Sequence, residues 1–191
     1  MIPSFAEPVA PANGAGEYFL WVDRLVDYKL PDRYVELAEA LPEARFLMVG
    51  TPIDETPPGM VERMEAAAER VPNLELLPPR PRRDLLEEMR GAVALVKTSR
   101  VEGMPNGFLE AWACGLPVLS LSVDPDAKIA TNDIGVVAGG SMERLIEATA
   151  SLWRDAELRN AIGDRARRFV QDVHSPEVVA DRWVALLEEL I

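Results

Sequence analysis

The chain carries one cysteine, one histidine and only three lysines in 191 residues. The lone cysteine, Cys114, excludes an internal disulfide and any zinc cluster built on cysteines. In an apolar helical stretch it reads as a small buried hydrophobe. The lone histidine, His174, is far in sequence from the other chemistry-bearing residues. No Ser-His-Asp or Cys-His arrangement assembles around it, and a local capping or surface role is expected. The glycines supply no Gly-x-Gly-x-x-Gly pattern, which disfavours a nicotinamide enzyme. No apolar run is long enough for a bilayer and no signal peptide is evident, so a soluble, cytoplasmic chain without a transmembrane segment is expected. Lysines stand only at 29, 97 and 128, so arginine supplies most of the 20 basic residues, against 32 acidic ones. The net charge of −12 argues against a nucleic-acid or anionic-membrane surface.

What is present is an alternation of apolar runs and helical stretches. Residues 1–16, rich in Pro, Ala and Gly, read as a linker, and 17–191 as one folded domain. Tyr18–Val22, Arg45–Val49, Leu74–Leu77, Ala92–Val96 and Val118–Leu121 read as strands, with Gly135–Ala138 as a last edge strand. Unbroken apolar runs of this length suit parallel strands covered on both faces. Helices are expected at Pro31–Leu41, Met60–Arg70, Asp84–Met89, Gly107–Cys114, Met142–Trp153, Ala156–Val173 and from Pro176 to Leu190. Ser141, Asp155 and Ser175 are their N-caps where one is visible. The alternation predicts an α/β domain: three αβα layers around a parallel, doubly wound, Rossmann-like sheet. Trp21, Trp112, Trp153 and Trp183 are expected in the core or at a domain interface.

The stretch with the most chemistry is Val96 to Val118. A strand runs into a turn punctuated by Gly103, Pro105 and Gly107, then into a helix ended by Gly115-Leu116-Pro117. Loops at the carboxyl ends of parallel strands are where open α/β sheets bind ligands. Two glutamates, Glu102 and Glu110, frame the turn with seven residues between them. Backbone N–H groups at Gly107 and Phe108, with the positive end of the helix dipole behind them, suit an anionic phosphate; the carboxylates suit hydroxyls. A turn cap and a solvated helix-face residue is the alternative for such a pair. Arg24 and Lys29 are the two cations of the first βα loop, facing either a ligand or the neighbouring Asp23 and Asp27.

The run Glu102-Gly-Met-Pro-Asn-Gly-Phe-Leu-Glu110-Ala-Trp-Ala-Cys-Gly-Leu-Pro-Val resembles the signature of retaining GT-B glycosyltransferases of family 4. Arg24-Leu25-Val26 with Lys29 looks like that family's Gly-Arg-Leu…Lys segment, and Ile2-Pro3-Ser4-Phe5 resembles its interdomain segment. The resemblance implies the C-terminal, donor-binding half of a two-domain enzyme whose substrate is a nucleotide diphosphate sugar. It implies catalytic roles for Glu102, Arg24 and Lys29. It implies donor contacts from Glu110 and from Gly103, Met104, Pro105, Asn106, Gly107 and Phe108. No cofactor or metal is implied, since fixed cations serve the diphosphate. An N-terminal acceptor domain or partner chain is implied, and with it little activity of the isolated chain. The base is placed near Gly50 and Leu77 to Pro79. Three departures stand out: Asp23 in place of glycine, Thr98 in place of a frequent proline, and Val123-Asp124-Pro125-Asp126 in place of Gly-Gly-x-Pro-Glu. Asp124-x-Asp126 also matches the metal motif of the other large glycosyltransferase fold, in a chain whose fold does not suit it.

Overall fold

The computed structural model describes residues 4–6 and 16–188. The chain runs β1 Tyr18–Arg24, α1 Pro31–Ala40, β2 Phe46–Thr51, α2 Met60–Arg70, β3 Leu74–Leu77, α3 Arg82–Gly91 and β4 Ala92–Lys97. It continues through α4 Asn106–Ala113, β5 Val118–Ser120, α5 Lys128–Asn132, β6 Gly135–Val137, α6 Met142–Arg154, α7 Ala156–His174 and α8 Pro176–Glu188. The strands form one sheet in the order β3-β2-β1-β4-β5-β6, and every neighbouring pair is parallel. This is the doubly wound order, with the chain reversing direction between β1 and β4.

Strand residues alternate between two cores. Phe19, Trp21, Phe46, Met48, Ala94, Val96 and Leu119 pack under α1, α2 and α6. Leu20, Leu47, Val49, Leu95 and Val118 pack on the other face against α3, α4 and α5. Helix α7 serves both, with Ile162 in the first core and Ala166 and Val170 in the second. The α4–α7 contact is close enough to require glycine at 163, while Gly115 is required by its own backbone conformation. Gly115, at φ +74°, closes α4, and a Cβ added at Gly163 would lie 2.1 Å from the Gly115 carbonyl oxygen.

Helix ends follow their local chemistry where the cap is polar. Ser141 accepts from the Arg144 amide at 3.3 Å, and Asp155 from the Leu158 amide at 2.9 Å. Ser175 accepts from the Val178 amide at 3.3 Å. Trp21 and Trp112 are fully buried, whereas Trp183 is half exposed. Two local features depart from expectation. Asp27–Lys29 is a 3₁₀ turn rather than an open loop, and a short helix, α5, occupies Lys128–Asn132. Much of the expected linker, 1–3 and 7–15, and residues 189–191, on which the end of the expected last helix falls, lie outside the described residues.

Within residues 4–6 the chain is tied to the end of α7. The Ala6 amide donates to the His174 carbonyl at 2.9 Å, and His174 Nδ1 lies 2.6 Å from the Ser4 carbonyl oxygen. His174 is buried, at 1% exposure, which corrects the expected surface or capping role. A carbonyl accepts, so Nδ1 carries the proton; Nε2 is buried with no hydrogen-bond partner among the described residues. Protonation would place a second N–H there with no acceptor among the described residues. Burial, helped by the positive charges of Lys128 and Arg182 and opposed by the Ser4 hydrogen bond, lowers the His174 pKa below its ordinary 6.5. The folded pKa is therefore the lower one, and stability falls as pH drops below about 6.5, where the unfolded chain binds the extra proton. The midpoint of thermal unfolding should fall further between pH 7.5 and 5.5 in the native chain than in a His174→Gln chain. Equal falls would remove His174 as the acid-sensitive group.

Candidate functional site

The crevice between β1 and β4 is built by two loops laced together. The Arg100 amide donates to the Tyr28 carbonyl at 2.9 Å. Thr98, fully buried, accepts from Trp21 Nε1 at 2.9 Å and donates to the Lys29 carbonyl at 2.6 Å. Its hydroxyl thus ties the end of β4 to β1 and to the first βα loop, two links that a proline at this position could not make. Leu30 follows at φ 50°, a left-handed conformation uncommon for a branched apolar residue, and seats Lys29 at the turn's end.

Into this crevice project two ammonium and two carboxylate groups. Lys29 is 4% exposed and Lys97 5%. Asp23 bridges them: its Oδ1 lies 3.0 Å from Lys29 Nζ, and its Oδ2 accepts a short contact from Lys97 Nζ. Lys97 Nζ also reaches the Val22 carbonyl at 3.2 Å. Glu102 Oε1 accepts from Lys29 Nζ and from Ser99 Oγ at 2.7 Å. Burial opposes the Lys29 charge, but hydrogen bonds and charge from Glu102 and Asp23 outweigh it and raise the pKa above the ordinary lysine value. The ring of Tyr28 lies beside the same ammonium, 5.2 Å to the centroid.

The structure brings only part of the expected set together. Lys29 and Glu102 meet in the crevice. Arg24 is exposed, and its guanidinium donates to the Tyr28 hydroxyl at 2.7 Å. Glu110 turns to α3, where its carboxylate accepts from Arg82 Nε at 2.6 Å. A cavity of about 270 Å³ lies beside that pair, lined by Phe5, Ala6, Arg82, Asn106, Leu109 and Glu110. Gly103 and Asn106 are exposed, and Met104, Pro105 and Gly107 half-buried.

Phe108 is a correction. Its amide donates to the Pro105 carbonyl at 3.0 Å, and its side chain is fully buried against Trp112, ring centroids 5.4 Å apart. Helix geometry leaves Asn106 and Gly107 as the amides at the positive end of α4. Around Gly50 the space is filled by Leu25, whose Cδ2 would lie 2.8 Å from an added Cβ. The Asp124-x-Asp126 pair is divided: Asp124 accepts from the Ile129 amide at 2.8 Å, while Asp126 pairs with Lys128 at 2.5 Å.

Sequence reasoning missed Lys97, Ser99, Tyr28 and Arg82 as members of the site. A signal existed for one of them. Lysine is nearly absent from this chain, yet two of its three lysines stand at the carboxyl end of β4 and in the loop after β1. A further cavity, about 320 Å³ beside Tyr18, Arg45, Asn73 and Glu75, lies at the opposite, amino end of the strands. In an open parallel sheet that is the end away from the ligand crevice.

Residues 6–169 match the family described as Glycosyl transferases group 1. The chain belongs to that family. Among curated relatives, Glycosyltransferase 1 domain-containing protein 1 of Xenopus tropicalis is 24% identical, with 84% of this chain and 46% of that protein covered. The GDP-mannose-dependent monoacylated alpha-(1-6)-phosphatidylinositol monomannoside mannosyltransferase of Corynebacterium glutamicum is 27% identical, with 86% and 45% covered. The chain thus spans about half the length of these two relatives. A mutant of TarM from S. aureus, solved with UDP among its ligands, superposes with a TM-score of 0.79 at 19% identity, covering 95% of this chain and 38% of that one. The fold is that of a GT-B, Rossmann-like glycosyltransferase domain. Among the described residues no helix is long and apolar enough to cross a membrane.

Proposed function

We propose that this chain is the donor-binding half of a retaining, family-4-type glycosyltransferase, taking a nucleotide diphosphate sugar and passing a hexose-type sugar to an acceptor. The observation that carries the proposal is the meeting of Lys29 and Glu102 in the β1–β4 crevice, beside the amino end of α4. Departure of the nucleotide diphosphate leaves negative charge on phosphate oxygens. Lys29, with Arg24 at the rim, supplies fixed positive charge where it develops, and the Asn106 and Gly107 amides add the helix terminus. Glu102 faces the transferred sugar and orients a hydroxyl. Glu110 accepts from the ribose hydroxyls, exchanging its Arg82 partner for them. Gly103, Met104 and Pro105 shape the loop between the two carboxylates. The chemistry in this proposal uses side-chain cations and no metal.

A second, acceptor-binding body belongs to the proposal, on the same polypeptide or a separate one. Trp183, Val184, Leu186 and Leu187 on α8 are exposed, an apolar surface that such a body would cover. Activity then resides in the pair, and this chain alone binds donor and turns over little.

Calorimetric titration with UDP, GDP and ADP tests the proposal. One of the three should bind, and Glu110→Ala and Arg24→Ala should each weaken that binding about 10- to 100-fold, the range for losing a hydrogen bond to a charged group. Wild-type chain that ignores all three at millimolar concentration, or variants that bind as wild type does, would contradict it.

A further inference from the structure

We propose that Lys97 is a second phosphate-binding cation of the crevice, and that the Asp23 carboxylate holds Lys29 and Lys97 in the position a ligand's phosphate takes when bound. This rests on the donor-site proposal and goes beyond it, because it adds a binding residue and an internal competitor to the site.

The geometry is that of one anion shared by two ammonium groups. Each oxygen of Asp23 meets a different lysine, Oδ1 facing Lys29 and Oδ2 facing Lys97. A phosphate presents two oxygens to two cations in the same way. Both lysines are almost wholly buried, and Asp23 is buried with them. Two ammonium groups this close would repel without an anion between them, and buried charges need partners. The cluster is charge-balanced: Lys29 and Lys97 against Asp23 and Glu102. Beyond Arg24 at the rim, a diphosphate entering this crevice therefore meets no surplus positive charge until a carboxylate gives way. Asp23 is the one placed to do so. Its Oδ1 already accepts from the Arg24 amide at 2.9 Å, so a partner outside the cluster is in reach. Glu102, by contrast, meets only Lys29 of the two lysines, so its release would free one cation and not both.

The position of Lys97 points the same way. It ends β4 at the reversal of the sheet, with its ammonium laid across the end of β1 onto the Val22 carbonyl. Lys29 reaches Asp23 from the first βα loop and Lys97 from the end of β4, so a phosphate in the place of Asp23 would meet a cation from each side. Exchange of Asp23 for phosphate gives both lysines a use.

The test is a mutant cycle read by calorimetry, with inorganic pyrophosphate and with UDP, GDP and ADP. Asp23→Asn keeps the side chain's size and removes its charge. It should bind pyrophosphate and the selected nucleotide at least tenfold more tightly than wild type, with a steeper loss of affinity in salt. Adding Lys97→Met to Asp23→Asn should then cost at least tenfold. A double variant that binds as Asp23→Asn does would overturn the role of Lys97, leaving it only a partner to Asp23. If wild type binds a nucleotide and Asp23→Asn binds it no better, this inference fails while the donor site stands. If no variant binds any of the four probes, both fail.

A measurement on the unaltered chain guards against a variant that does not fold. Three lysines give three ¹³Cε resonances in lysine-labelled protein. Saturating pyrophosphate should move those of Lys29 and Lys97 and leave Lys128 in place. Movement of one resonance alone would overturn the two-cation site.

Discussion

Replacing Lys29 with methionine should lower the stability of the chain by about 3–5 kcal/mol, the range for removing one member of a buried ion pair. Methionine fills most of the volume, so the loss is electrostatic rather than a packing defect. Glu102 would keep only Ser99, and Asp23 only Lys97 and the Arg24 amide, with both carboxylates still largely out of solvent. Lys128→Met is the matched control. Its partner Asp126 is largely exposed, and the change should fall within about 0.5 kcal/mol of wild type. Urea unfolding of the two variants checks this, and a Lys29→Met loss below about 1 kcal/mol would show that the cluster is not the compact pairing described here. The pH dependence has a sign as well. The Lys29 pKa is raised in the folded chain, so its contribution is complete below the ordinary value of 10.5 and is lost only as pH rises through the folded value. Around neutral pH this part of stability should be flat.

Trp112→Ala should cost about 3–5 kcal/mol and disturb ligand binding together with the fold. Trp112 is fully buried on α4, seven residues past the turn that ends at Pro105. Its ring packs on Phe108 and, edge-on, on Phe169 of α7, centroids 5.6 Å apart. Its Nε1 donates to the Ile134 carbonyl at 3.2 Å. The side chain therefore fixes α4 against α7 and against the segment leading to β6, and with α4 it fixes Glu110 and the amides of Asn106 and Gly107. Trp112→Phe should recover most of the stability and the binding, because it restores the ring and lacks only the hydrogen bond. Full binding by a Trp112→Ala chain that remains folded would mean that α4 is positioned by other contacts.

The fold was legible because burial on both faces leaves a plain mark. Tyr18–Val22 and Ala92–Val96 are unbroken apolar runs, and those are the central strands β1 and β4. Side-chain caps were legible for the same local reason: Ser141 and Asp155 cap the helices that begin after them. What depends on distant partners was not. Lys97 reads as the polar end of an apolar run, and only the packing of β4 beside β1 brings it to Asp23, 74 positions earlier. The same holds for His174, whose partner Ser4 is 170 positions away. Glu102 and Glu110 were visible as a pair, but their partners belong to separate parts of the fold, the first βα loop and α3. Phe108 shows a different limit. A helix-start amide is a donor by rule, and here the preceding turn bends tightly enough for Pro105 to take it.

Asp23, which stands where the resemblance to the family leads to an expectation of glycine, is also the residue that organises the cluster. Once its two lysine contacts are in view, it is no isolated oddity: Lys97 is the cation that accompanies it.

The most direct test is an amide-resonance map of the 21.1 kDa chain titrated with UDP, GDP and ADP, each followed by a matching nucleotide sugar. The account predicts shifts centred on residues 23–30 and 97–110, the carboxyl ends of β1 and β4 with their loops and the start of α4, together with Arg82 as Glu110 leaves it. Shifts centred instead on the amino-end cavity beside Tyr18, Arg45 and Asn73, or no shifts with any nucleotide, would contradict it.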